Sequence, residues 1–416
     1  MKKASSKMGF GRTRKRLEEC LSDKQMRKVE TAFTRNRKLG ARHIIIMVIS
    51  RIYLSLQLCL DNYFDGLGMP PVSKQAFSKA RMRLNPEYVR GFFDDTAEIA
   101  ASDETLDSYK GMRLIVFDGS DIALENTREL RENFGVSGPG KGVATALSSI
   151  AYGPLDHVIY DCRIDKYKKN ERDLAKLHIE KLCELGLCGS LILTDRGYPS
   201  IEFIAYLLKE GFHFVMRVKA KWNLEADSIK TQGIISLTYH GVTFPVRVIK
   251  ILLPTGEVET LLTSLDEQTL PHHEAGELYF NRWSVETSFD LIKNKLQLEN
   301  FSGKTEVSVK QDFYATMYLA NMVAFVAGEA DDQICISDKP KRLKHRRQAS
   351  RNRTIHKLRK DFLCLVMEPN PLMRDAMLDR IVRSVAQRPV SIVPDRSPPR
   401  KSPRKKPFYM ARKSVV

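Results

Sequence analysis

Two short runs constrain this chain more than anything else in it. Leu114-Ile115-Val116-Phe117 stops at Asp118, and Leu191-Ile192-Leu193-Thr194 runs into Asp195. Such runs, too short for helices, read as buried strands, and an Asp directly after one stands where the sheet edge opens. Their surroundings agree. Residues 145–161 read as two strands about the turn Gly153-Pro154-Leu155-Asp156, a meander with the first strand. Residues 172–186 and 200–209 read as helices, 213–218 as a strand, and 239–265 as two strands about Pro254-Thr255-Gly256. Strands paired first as a meander and then alternating with helices predict a mixed α/β sheet. A β-rich excursion at about 222–270 precedes a strong helix over 274–298.

Residues 1–105 read as helical, with periodic segments at 17–33, 44–60 and 73–84. Ser73 is placed to cap a helix decorated by Lys74, Lys79, Arg81 and Arg83. That helix is either a helix-turn-helix reader of DNA or an ordinary basic surface helix. Beyond 338 come a basic stretch, a short helical segment at 361–387 and a Pro/Ser/Arg tail whose composition predicts disorder. The predicted organisation is a helical domain over 1–105, an α/β domain over 106–330 and a basic, partly disordered region over 331–416.

Charge is divided unevenly. The formal net charge is +18, yet residues 1–43 hold 14 Lys/Arg against 4 Asp/Glu and residues 339–416 hold 23 against 5, which leaves 44–338 at −10. An acidic body between two basic ends points to a polyanionic partner, because each neutralised phosphate releases counterions. A membrane-surface role would need an amphipathic apolar face, which the basic run from Arg400 to Lys406 lacks. The greasiest stretch, 44–60, is interrupted by Ser50, Arg51, Ser55 and Gln57 and is too polar to span a bilayer. No apolar leader core follows Lys2 and Lys3, and the seven scattered cysteines, with no CxxC, suit a reducing cytoplasm. Nucleic acid is the expected partner, with no membrane.

Gly135-Val136-Ser137-Gly138-Pro139-Gly140-Lys141 imitates a phosphate loop but has Gly142 where the Mg²⁺-holding hydroxyl belongs, and a helix precedes it where a strand should. It is rejected as a nucleotide site. Asp118 and Asp195 are each either a turn former or a metal ligand; two in one α/β domain favour a shared site, with Asp121 as the fallback for Asp118. On the helix over 274–298, Tyr279, Arg282, Glu286 and Lys293 fall within an arc of about 60° at 3.6 residues per turn. Val285, Phe289, Ile292 and Leu296 form a core-facing stripe beside them. A polar row on the rim of a buried stripe suits the edge of a site; a salt-bridged surface row is the ordinary alternative.

These residues resemble a family. Tyr279-x2-Arg282-x3-Glu286-x6-Lys293, preceded by Val116-Phe117-Asp118-Gly119 and Leu193-Thr194-Asp195-Arg196-Gly197-Tyr198, resembles the DDE transposases of bacterial insertion sequences. The likeness is to the branch with the Tyr-Arg-Glu-Lys signature, insertion-sequence family four, and covers about 75–325. It implies an RNase H-like mixed sheet with a β-rich insertion before the last catalytic helix, plus the all-α N-terminal domain. It also implies a catalytic and metal-binding triad of Asp118, Asp195 and Glu286 around Mg²⁺, with Mn²⁺ as a substitute. Arg282 and Lys293 would hold terminal phosphates and Tyr279 would buttress them. Trp283 would stack on a displaced base, or else serve as a core or interface residue, and Arg196 and Arg217 would contact phosphate. The implied function is binding of the element's terminal repeats, strand cleavage and strand transfer into target DNA, by a homodimer on paired ends in the bacterial cytoplasm at the nucleoid. A catalytically silent DNA-binding derivative and a nuclease without strand transfer remain as alternatives.

Overall fold

The computed structural model describes residues 5–34, 38–50, 55–140, 142–253, 255–339 and 342–392. They form two compact units, each discontinuous in sequence. One takes Ala100–Asp121 with Leu147–Asp290; the other takes Ile122–Ala146 with the described residues up to Ile99 and from Leu291 onward.

The helical unit opens with α1 (Ser6–Glu19), α2 (Ala41–Ser50), α3 (Leu56–Asp65), α4 (Lys74–Arg81) and α5 (Pro86–Ala101). The helix expected over 17–33 lies earlier. Ser6, Phe10, Thr13 and Leu17 already share the buried face, and Ser5 caps the start by accepting from Met8 N–H. Two glycines, Gly9 and Gly11, diluted that signal; after Glu19 the chain goes into turns and a short 3₁₀ turn, Lys24–Met26. The single segment expected over 44–60 is two helices, the second capped by Ser55; residues 51–54 lie outside the described set. Ser73 caps α4, as its sequence position required, by accepting from Ala76 N–H at 3.2 Å.

In the sheet unit β1 (Leu114–Ala123) is followed by α6 (Arg128–Phe134), which belongs to the helical unit, as does the two-residue β2 (Val136–Ser137). Then come β3 (Val143–Tyr152), β4 (Ile159–Lys166), α7 (Glu171–Glu184), β5 (Leu191–Thr194), α8 (Ile201–Lys209) and β6 (His213–Val218). The order β4-β3-β1-β5-β6, with β5 and β6 parallel to β1, is the RNase H-like arrangement. After the short α9 (Leu224–Ser228), the insertion supplies β7 (Gln232–Tyr239), β8 (Val242–Leu252) and β9 (Val258–Thr263). These three antiparallel strands extend the sheet because β9 pairs with β6, Met216 opposite Leu262. The expected turn residue Pro254 lies outside the described residues, as does Lys141 of the rejected phosphate loop. That loop closes a hairpin, Val136 opposite Ala144, and only glycine fits at 142: a Cβ there would sit 2.3 Å from Val136 Cγ1, and φ is +55°.

The strong helix expected over 274–298 is broken. It comprises α10 (His272–Phe280), a 3₁₀ turn Asn281–Trp283, α11 (Ser284–Asp290) and a π turn Leu291–Lys295. Polar side chains cause the first break: Asn281 Nδ2 donates to the Glu277 and Leu278 carbonyls, and Ser284 Oγ donates to Asn281 O at 2.7 Å. In the π turn Leu296 N–H bonds to Leu291 O, five residues back. A uniform 100° per residue therefore does not describe this segment.

The helical unit ends with α12 (Glu306–Asp338), the two-residue strands β10 (Arg347–Gln348) and β11 (Val390–Ser391), α13 (Arg351–Met367) and α14 (Pro371–Ala386). What read as one short helix over 361–387 is two, divided where Asn370 caps α14 and Pro371 occupies its first turn. α12 is buried on every face through most of its length, with Tyr318 between Phe92 and Phe362. The basic run from Arg400 to Lys406 and the tail lie outside the described residues.

Candidate active site

Register brings the two aspartates together, although only Asp195 directly follows its strand: β1 does not stop with its apolar run but continues to Ala123, so Asp118 lies mid-strand. Parallel pairing of β1 with β5 sets Leu114 against Leu191, Ile115 against Ile192 and Val116 against Leu193. The same register carries Asp118 to the level of Asp195, on strands about 4.8 Å apart. The apolar residues before each aspartate are 0–2% exposed, so both carboxylates emerge from a dry sheet into a half-buried position. Burial, and then the charge of Asp195, push the Asp118 carboxyl up to about 7, against the opposing pull of the Gly119 N–H and of Arg282. The Gly119 N–H donates to Asp118 Oδ1 at 3.0 Å and the Gly197 N–H to Asp195 Oδ1 at 2.8 Å.

A third carboxylate stands there that sequence reasoning missed. Glu171 opens α7, and burial followed by the charges of Asp195 and Asp121 raises its proton affinity. The signal was legible: Asn170 is the cap of α7, accepting from Arg172 N–H, which makes Glu171 the first helical residue after β4 rather than a loop position.

Glu286 lies on α11, exposed, with Oε1 3.7 Å from Arg282 Nη2. Arg282 itself is buried, its guanidinium 4.6 Å from the Trp283 ring centre and 5.9 Å from that of Tyr279. Its charge reaches Asp118, so Arg282 links the helix glutamate to the aspartate pair. Tyr279 is buried and its hydroxyl donates to the backbone carbonyl of Thr194, the residue before Asp195. Trp283 is 40% exposed and Phe280 70% exposed, which leaves an aromatic face open beside the buried guanidinium. Among the described residues no group of three His, Cys, Asp or Glu side chains is arranged to hold a metal ion. The triad named from sequence is thus not drawn into one coordination sphere. The donor chemistry nonetheless suits a hard divalent cation: all the acids are oxygen donors, and the Asp118–Asp195 repulsion is what such a cation relieves.

The remaining sequence-named residues divide. Arg196 is exposed. Arg217 is engaged by Glu259, Nε to Oε1 at 3.1 Å, in the sheet interior. Lys293 is half-buried on the π turn and belongs to the helical unit. Lys74 and Lys79 are exposed on α4. Arg81 is not a surface residue: it is 3% exposed and its guanidinium bonds to Gln311, Ser302, Asp312 and the Ser308 carbonyl at 2.5–3.0 Å. Lys79 and Arg81 are two residues apart on α4 and so about 200° apart around its axis, and sequence alone does not show which of the two faces inward.

The family profile described as the transposase DDE domain matches residues 109–322, just over half of the chain. The chain belongs to the DDE transposase family. Relatives of this DDE-family chain include transposase InsG for insertion sequence element IS4 of Escherichia coli (strain K12), 24% identical over 286 residues. That match covers 64% of this chain and 63% of the relative, so the chain spans under two thirds of that protein's length. Putative transposase InsZ of the same strain is 23% identical over 209 residues, covering 48% of this chain and 68% of the relative. Among solved structures it is similar to a piggyBac transposase synaptic complex with hairpin DNA, with a TM-score of 0.48 and 11% identity, covering 91% of this chain and 85% of that one. No helix among the described residues is long and apolar enough to cross a membrane.

Proposed function

We propose that this chain is a transposase that binds the terminal repeats of an insertion sequence, cuts DNA strands at the element ends and transfers them into target DNA. The observation that best supports this is the meeting of Asp118 and Asp195 at one level on adjacent parallel strands, in a chain of the DDE family. In this reading Asp118, Asp195 and Glu286 hold Mg²⁺, with Mn²⁺ as a substitute. When bound, such ions activate a water or a DNA 3′-hydroxyl and stabilise the leaving oxygen. The protein's own groups do the positioning. Tyr279, bonded to the Thr194 carbonyl, ties α10, the helix that leads into the Glu286-bearing α11, to the end of β5. Arg282, buried near the Tyr279 and Trp283 rings, presents a positive charge beside the carboxylates for a terminal phosphate, and Trp283 offers an exposed ring to an unstacked base. Lys293 and Arg196 supply further phosphate contacts, and Arg217 does so only if it leaves Glu259. Lys74 and Lys79 on α4, within the helical region 1–105, contact the repeat, with the basic region 331–416 adding charge. Two copies hold the paired ends in the bacterial cytoplasm.

The test is cleavage of a duplex carrying the element end. Asp195→Ala should abolish Mg²⁺-dependent cleavage and leave binding nearly intact; surviving cleavage would overturn the triad. Wild-type protein that binds without cutting would be a silent derivative, and one that cuts without joining would be a nuclease.

A further inference from the structure

We propose that Cys183 and Cys188 form a dithiol modification site, which a low-molecular-weight disulfide closes to an intramolecular disulfide bond. Their Cys-x4-Cys spacing carries no signal in sequence; the end of α7 is what brings them together. Cys188 Sγ donates to Cys183 Sγ at 3.1 Å, and both thiols are free. Cys188 is exposed and Cys183 half-buried, so a small reagent reaches the pair. The turn between them is held on every side. Gly186, at φ +73°, reverses the chain, with its N–H on Cys183 O and the Leu187 N–H on Leu182 O, both at 2.9 Å. Leu187 is buried, Ser190 Oγ donates to its carbonyl at 2.7 Å, and the Gly189 N–H bonds to Gly211 O. Backbone geometry thus holds the two sulfurs in contact before any reaction, and that high effective concentration favours a bond within the pair over one to a diffusing thiol.

The exchange balances with the small disulfide, R–S–S–R, as its sole oxidant. Burial, and then the hydrogen bond with Cys188, push the Cys183 thiol up, so Cys183 keeps its proton and the exposed Cys188 attacks first. Cys188 gives up its proton and its sulfur attacks one sulfur of the reagent. The reagent's S–S bond breaks, RS⁻ leaves, and the mixed disulfide Cys188–S–S–R forms. Cys183 then loses its proton and attacks Cys188 Sγ; the mixed bond breaks, a second RS⁻ leaves, and the Cys183–Cys188 bond forms. The two protons end on the two released thiolates. Two protein thiols have been oxidised and one small disulfide reduced to two thiols. The new bond fastens the last turn of α7 to the loop that leads into β5, the strand that Asp195 follows.

The experiment incubates the full-length protein with oxidised glutathione, quenches with acid, alkylates the remaining thiols and digests with trypsin without reductant. Both cysteines fall on one tryptic peptide, 182–196, between Lys181 and Arg196. Mass spectrometry should find that peptide unalkylated, free of glutathione and two hydrogen atoms lighter than the dithiol; prior treatment with dithiothreitol should restore two alkyl groups. The exposed Cys335 and Cys364 are the comparison thiols. As reduced glutathione is added back, their glutathione adducts should be lost at about a ten-fold lower concentration than the Cys183–Cys188 bond. Cys183→Ser should leave Cys188 as a glutathione adduct, and Cys188→Ser should slow the loss of the Cys183 thiol about ten-fold. Two alkyl groups on wild-type 182–196 after oxidised glutathione would overturn the proposal. So would a lasting glutathione adduct on wild-type Cys188, or a bond lost together with the Cys335 and Cys364 adducts.

Discussion

An Asp118→Asn substitution removes one charge from the carboxylate pair while keeping the oxygen that accepts the Gly119 N–H. In the folded protein the Asp118 carboxyl is pushed from 3.8 up to about 7. The folded state therefore holds the proton more tightly than the unfolded chain. Between about pH 4 and pH 7 it binds the larger number of protons, so this group lowers stability progressively as pH rises; the cost is absent below about pH 4 and complete above about pH 7. At 1.36 kcal/mol for each tenfold change in proton affinity, the full cost is about 4 kcal/mol. Because the carboxyl is only half-buried, solvent screening reduces the expected value to about 2 kcal/mol. For a unit of this size that corresponds to ~4–8 °C in Tm. Thermal melting in EDTA should accordingly show Asp118→Asn above wild type at pH 8, with the gap closing toward pH 4. With Mn²⁺ added, wild type should gain more than the variant, because only its pair can bind the ion that relieves the repulsion. A variant that melts at or below wild type at pH 8 in EDTA would refute the placement of Asp118 beside Asp195.

Three further outcomes follow from the same geometry. Arg81→Ala should destabilise the helical unit by about 3–5 kcal/mol in guanidinium denaturation, since it strands Asp312 in the core, and an unchanged midpoint would return Arg81 to the surface. Lys74→Ala with Lys79→Ala should leave stability within about 0.5 kcal/mol but flatten the log–log salt dependence of DNA binding by about two, measured by fluorescence anisotropy. An unaltered slope would remove α4 from the interface. Tyr279→Phe, which loses only the hydroxyl bond to the Thr194 carbonyl, should lower cleavage more than DNA affinity, because that bond positions a helix and contacts no phosphate. Equal losses in both assays would make Tyr279 a DNA contact instead.

What the sequence determined by itself is local and periodic. Runs such as 114–117 and 191–194 are too apolar to be anything but buried strands, and Ser73 had to cap a helix, but where a strand ends is not read from its apolar run: β5 stops before Asp195, whereas β1 continues through Asp118 to Ala123. The spaced signature of Tyr279, Arg282, Glu286 and Lys293 marked the family although the helix beneath it is broken, because spacing along the chain survives a 3₁₀ or π turn while angular position does not. Only tertiary structure decided which acids meet and which arginines face inward. Glu171 is one more helical glutamate until strand pairing and the buried Ser149–His178–Asp161 chain set α7 against the glycines beside Asp118 and Asp195. Arg81 reads as a DNA contact until α12 supplies Asp312 and Gln311. The physical reason is the same in both: the worth of a charged group depends on the charges and the dielectric around it, and residues distant in the chain supply both.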